Sequence, residues 1–173
     1  MLHFEKILSR TEKVKTGKNL KSSIVSGLSL LANSVGVSID KIVRETGVSL
    51  TSLLDNDARV SELGLHRLLT LIDKALPGKA GILELAKRIP PSLFGKEVAL
   101  IFQASTLEQA MLLWANYYDL LSDSIEVELI DSKNHLAVRI HHPLDETDQG
   151  IGGDLALAVK YRFICDYFGA QAV

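Results

Sequence analysis

Apolar residues recur at helical spacing along most of the chain and switch to strict alternation in one region only, between residues 125 and 140. The clearest helical stretch lies within FGKEVALIFQASTLEQAMLLWANYYDLLSD, residues 94–123. Ser105 and Glu108 have the spacing of a capping box, in which each side chain satisfies an orphan N–H at a helix start, so the pattern predicts a helix from Thr106. Leu107, Met111, Trp114, Tyr118 and Leu121 then form one stripe, and Ala110, Leu113, Tyr117 and Leu120 form its neighbour. Glu108, Gln109, Asn116 and Asp119 take the other side. Two adjoining apolar stripes predict a wide buried face on a central helix.

Shorter helices precede it. Ile24, Leu28, Leu31 and Val35 share a face from Ser23 onward, with Gly36 placed as a C-terminal cap. Ser38 suits the N-cap of a second helix with Ile39, Ile42 and Val43 on its apolar face, ended by Gly47, and a third short helix is expected over 49–54. Residues 55–60, DNDARV, read as a polar connector. A fourth helix over 61–76 is expected to bury Leu65, Leu68, Leu69, Ile72 and Leu76 and to turn His66, Arg67, Asp73 and Lys74 outward. Pro77-Gly78 breaks it, and Pro90-Pro91 stops a fifth helix over 79–88.

After the central helix the period becomes two. Ile125, Val127 and Leu129, then Leu136, Val138 and Ile140, alternate with polar residues and predict a β-hairpin. Pairing Ile125 with Ile140, Val127 with Val138 and Leu129 with Leu136 puts all six on one face and Glu126 opposite Arg139. Residues 143–153 form an acidic, glycine-rich loop before a last helix over 154–168, with Leu157, Tyr161, Ile164 and Phe168 as the expected buried stripe and Ala158 and Cys165 beside it. The fold class is therefore α+β, predominantly helical, with about seven helices and an antiparallel hairpin in the C-terminal half packed on the central helix.

Composition narrows the function without defining it. The 173 residues suit one domain, and 47% hydrophobic with 23% charged residues is ordinary for a globular protein. A net charge of −2 argues against a phosphate-binding surface over the whole domain. The single cysteine, Cys165, excludes an internal disulfide and reads as a core thiol in a reducing compartment. No signal-peptide core or membrane-length apolar run is present, and a cytoplasmic location is expected. Residues 1–21 are lysine-rich and read as a basic, partly disordered arm.

Candidate chemistry is sparse. Glu126 and Glu128 lie along one strand face toward solvent, an arrangement that suits solvation better than paired acid/base work. His141 and His142 are strand neighbours pointing to opposite faces, so they and His135 make a poor metal site. Gly150, Gly152 and Gly153 precede a helix start, as an anion nest would, but without a leading strand or a Lys-Ser/Thr ending. No GxSxG elbow is present. A small enzyme would need Glu126, Glu128, Arg139 and His141 to converge on a cleft. No catalytic residue, metal or cofactor is assigned. The best ligand candidates are the aromatic residues Trp114, Tyr117 and Tyr118, with Phe102 and Tyr161, in a pocket between the central helix and the hairpin.

The chain from about Ser23 to Val173 resembles the N-terminal regulatory, arabinose-binding-domain-like region of AraC-type bacterial transcription regulators. The resemblance is carried by DARVSELGLHRLLTLID, by LAKRIPPSLFGKEVALIFQASTLEQAMLLWANYYDLLSD, and by the hairpin VELIDSKNHLAVRI followed by a long helix. It implies an effector-sensing, dimerising, non-catalytic domain over 22–173. Such a domain takes a small-molecule effector and a second copy as partners, does not engage membrane, and reaches DNA only through a C-terminal helix-turn-helix domain. Family members continue past Phe168-Gly169, so the resemblance also implies that the regulatory domain is incomplete at Val173. The alternative is a stand-alone module that pairs with full-length regulators.

Overall fold

The computed structural model describes residues 19–55, 57–76, 81–94, 101–123, 125–132, 135–141 and 150–169. Among them are seven helices and two small antiparallel sheets. The elements run β1 (Asn19–Lys21), α1 (Ser22–Ser34), α2 (Ile39–Thr46), α3 (Leu50–Leu54), β2 (Arg59–Ser61), α4 (Glu62–Ala75), α5 (Gly81–Arg88), a 3-10 turn (Pro91–Phe94), α6 (Leu107–Leu121), β3 (Glu126–Ser132), β4 (His135–His141) and α7 (Ile151–Phe168). The mostly helical α+β class is as the sequence predicts. The remainder of the basic arm, the Pro77-Gly78 break, His142 and the acidic loop up to residue 149 lie outside the described residues, as does the side chain of His135.

Local chemistry sets the helix ends in the first half. α1 closes at Val35, with Gly36 following at φ 92°. The side chain of Ser38 accepts a hydrogen bond from Lys41 N, Gly47 ends α2 in the left-handed region, and the side chain of Ser49 accepts from Ser52 N. α6 differs from expectation by one residue. Thr106, not Ser105, is the N-cap: its hydroxyl accepts from Gln109 N at 3.2 Å, while the Gln109 side chain accepts from Ser105 N at 3.1 Å. Thr106-x-x-Gln109 has the same capping spacing as Ser105-x-x-Glu108, and the two overlap in sequence.

The connector over 55–60 is not wholly irregular. Its end forms β2, which pairs with β1 through Leu20↔Val60, and both of those residues are buried. This ribbon is tied to the end of α6 by a Leu20↔Ser122 bridge and by Arg59, 3.7 Å from Asp123. α3 is fastened to α1 by Ser26 Oγ, which donates to Leu53 O at 2.6 Å, and by Ser22 Oγ, which donates to Ser52 O. α4 approaches Val48 closely at Gly64, where a Cβ would lie 2.6 Å from Val48 Cγ2.

The hairpin forms in a register two residues from the expected one. The ladder pairs Val127 with Ile140, Leu129 with Val138 and Glu128 with Arg139, and runs on to Ser132↔His135. A shift of two preserves the face of every side chain but sets Leu136 opposite Asp131, so cross-strand apolar matching points to the expected register while alternation alone allows both. The observed ladder runs from Glu126↔His141 to Ser132↔His135. Arg139 accordingly bridges Glu128, at 2.7 Å, instead of Glu126. The hairpin's apolar face, including Ile125, Val127 and Ile140, rests against the core, with both strands packed on α6.

Three faces depart from the predicted burial. On α6, Leu113 and Leu120 are exposed, so the buried face is narrower than two full stripes. On α4, His66 is buried together with Glu62. On α7, which begins three residues earlier than expected, Leu155, Val159 and Phe163 are buried with Lys160, while Leu157 and Tyr161 are exposed. Cys165 is only half-buried. The segment LALAV is apolar all round, so the spacing alone does not say which stripe faces inward. The decision comes from α5: Arg162 donates to Ala86 O at 2.6 Å and to Ile89 O, fixing the rotation of α7 against α5.

Candidate functional site

A cavity of about 490 Å³ lies where the helical bundle meets the hairpin. β1 and α1 contribute Leu20, Ile24 and Leu28 to its wall, and α4 contributes Leu65, His66 and Leu69. α6 adds Met111, Trp114, Tyr118 and Leu121, and the hairpin adds Ile125, Val138 and Ile140. α7 runs along it from Gly152 to Ile164. The volume falls within the range of small-molecule sites, as does a wall that is mainly apolar with few polar groups.

Those polar groups come from different elements. Ser122 follows the end of α6, and its hydroxyl donates to the carboxylate of Glu62, which opens α4 and is buried. His66 lies one helical turn further along α4 and is 3% exposed. Lys160 projects from the middle of α7 and is 6% exposed. Its Nζ lies 4.9 Å from the ring centroid of Tyr118 and 5.8 Å from that of Trp114, within cation–π range of both faces. Loss of hydration on burial pushes the Lys160 ammonium down to about 8, and the same loss pushes the Tyr118 phenol up.

Residues 36–173 match the family of the N-terminal arabinose-binding domain of AraC transcription regulators. The chain belongs to this family. No curated protein matches it in sequence.

Within this AraC-type domain the five aromatic candidates separate. Trp114, Tyr118 and Tyr161 line the large cavity. Phe102 does not; it packs edge-on against Phe163 at 5.6 Å and tilted by 41° against Tyr167 at 4.8 Å, beside a gap of about 10 Å³ between α6 and α7. Tyr117 is buried in the core and borders neither space. Spacing on α6 places Tyr118 and Tyr117 in adjoining apolar stripes, and the cavity takes its α6 wall from the Met111, Trp114, Tyr118 and Leu121 stripe alone.

The strand carboxylates do not converge. Glu126 stands opposite His141 and Glu128 pairs with Arg139, all four exposed and none on the cavity wall. Among the described residues, no group of three His, Cys, Asp or Glu side chains is placed to hold a metal ion, and no helix is long and apolar enough to cross a membrane. Gly152 and Gly153 lie inside the first turn of α7 instead of preceding it, with Gly150 as its N-cap at φ 81°.

Lys160, His66 and Ser122 are polar wall residues that sequence reading misses. Lys160 carried a usable signal. Its neighbours three and four positions away, Ala156, Leu157, Phe163 and Ile164, are all apolar, which is unusual for a lysine on a solvated face.

Proposed function

We propose that this chain is the effector-sensing and dimerisation domain of an AraC-type transcription regulator, that it catalyses no reaction, and that it works in the cytoplasm. On this reading its effector occupies the cavity between α1, α4, α6, α7 and the hairpin, and the domain passes the binding event to a DNA-binding unit. The cavity carries the reading. It has the size and wall of a small-molecule site, and its boundary is shared between the bundle and the hairpin, two bodies whose spacing a ligand can bias. The exposed positions of Glu126, Glu128, Arg139 and His141 weigh against catalysis by that group.

Trp114, the single tryptophan, borders the cavity and reports on it directly. An effector is expected to change Trp114 emission saturably, and Ala156→Phe, which places a larger side chain at the wall, is expected to abolish that change. A compound that alters transcription through the intact regulator, yet leaves Trp114 emission unchanged and still acts on Ala156→Phe, refutes this site. Dimerisation is tested by sedimentation equilibrium; a strictly monomeric intact regulator refutes it.

A further inference from the structure

Lys160 is the feature of the cavity that an apolar binding site does not need. A lysine placed beside apolar residues ordinarily carries its ammonium out to water along its flexible stem. Here the stem is enclosed, and among the described residues the charged end faces only the rings of Tyr118 and Trp114, with no carboxylate paired to it. Ring faces return part of the lost hydration and leave the positive charge uncompensated. Burial lowers the ammonium to about 8, so it still carries its proton at neutral pH. A methionine would fill the same volume without that cost.

We propose that the effector of this cavity is an amphipathic carboxylate, an apolar body bearing one anionic group, whose carboxylate pairs with Lys160 Nζ while its body lies against Ile24, Leu28 and Ile140. This rests on the cavity being the effector site and names the ligand class. The carboxylate supplies the counter-charge that the protein withholds, and the apolar wall supplies the rest of the affinity. A sugar is disfavoured, because each of its hydroxyls would need a partner on entering. The wall's polar side chains among the described residues are His66, Trp114, Tyr118, Lys160, Tyr161 and Ser122, and the Ser122 hydroxyl already donates to Glu62.

The test uses the full chain and three probes with one hydrocarbon body: decanoate, decanol and decylamine, each followed by Trp114 emission. Decanoate is expected to bind at least about tenfold more tightly than decanol, and decylamine most weakly. Lys160→Met is expected to bind decanoate no more tightly than decanol, and Lys160→Arg to restore the preference. Wild-type affinity for decanoate, but not for decanol, is expected to fall between about pH 7 and about pH 9.5 as Lys160 loses its proton. Among the described residues, the other titratable groups at the cavity are His66 and Glu62 on α4, Tyr118 on α6 and Tyr161 on α7, and the wall residues that β1, α1 and the hairpin contribute are apolar. Disappearance of the pH step in Lys160→Met assigns it to Lys160. Equal affinity for decanoate and decanol in the wild type, or a preference that survives Lys160→Met, overturns the carboxylate and leaves the cavity as a site. Failure of all three probes to bind overturns both.

Discussion

Replacing Lys160 by methionine is expected to stabilise the unliganded protein at neutral pH, the opposite of what most substitutions of a buried residue do. Burial lowers the ammonium from 10.5 to about 8, so between those values the folded protein binds fewer protons than the unfolded chain. Stability then rises with pH across that window; the full cost of the buried charge is present below about pH 8 and gone above about pH 10.5. About 2.5 pH units at about 1.4 kcal/mol each amounts to roughly 3 kcal/mol. That shift is the net difference between the two protonation states, ring contacts included, so the methionine variant is expected to gain up to roughly 3 kcal/mol. For a chain of this length the melting temperature would rise by up to about 6–12 °C. Urea denaturation of both proteins at about pH 7 and about pH 9.5 measures the effect, with the gap between the two midpoints expected to shrink at the higher pH. Tyr118 acts in the opposite sense above about pH 10, where the unfolded phenol ionises first, but it is common to both proteins and drops out of the difference. A Lys160→Met protein less stable than the wild type at pH 7, or a gap that does not close as pH rises, would refute the reasoning.

Two further outcomes test the packing around the cavity. Thr106→Ala is expected to cost about 1 kcal/mol through loss of the α6 cap, whereas Glu108→Ala should change stability by less than about 0.5 kcal/mol, and urea midpoints of the pair decide which residue starts the helix. Arg162→Met is expected to cost about 3 kcal/mol by removing charged donors from Ala86 O and Ile89 O, and a thermal melt unchanged within about 1 °C would show that α7 is held by its apolar face alone.

Helix ends were the part of this fold most open to reading from sequence, because caps are local. Gly36, Ser38, Gly47 and Ser49 act within a few residues of themselves, and each ends or starts a helix as its chemistry requires. The change to a period of two likewise marked the hairpin, and the family resemblance rested on the order of these same pieces. Register, rotation and long-range pairing were not legible. A two-residue shift keeps every hairpin side chain on its face, so alternation fixes the face and leaves the register open. The ribbon of β1 and β2 joins segments about forty residues apart, and no local signal in DNDARV marks its partner.

The candidate site divides in the same way. That Trp114 and Tyr118 share one apolar stripe of α6 and Tyr117 the adjoining one follows from the sequence alone; that the first stripe borders a cavity while Tyr117 lies in the core depends on how the other elements pack around α6. Lys160 is the sharpest case. An all-round apolar helix has no preferred inward stripe until something outside it chooses one, and Arg162 against the end of α5 makes that choice. The sequence determined that a lysine sits among apolar neighbours on α7. Only tertiary packing decided that its charge would be turned into the cavity, because burial belongs to the surrounding elements and not to the helix that carries the residue.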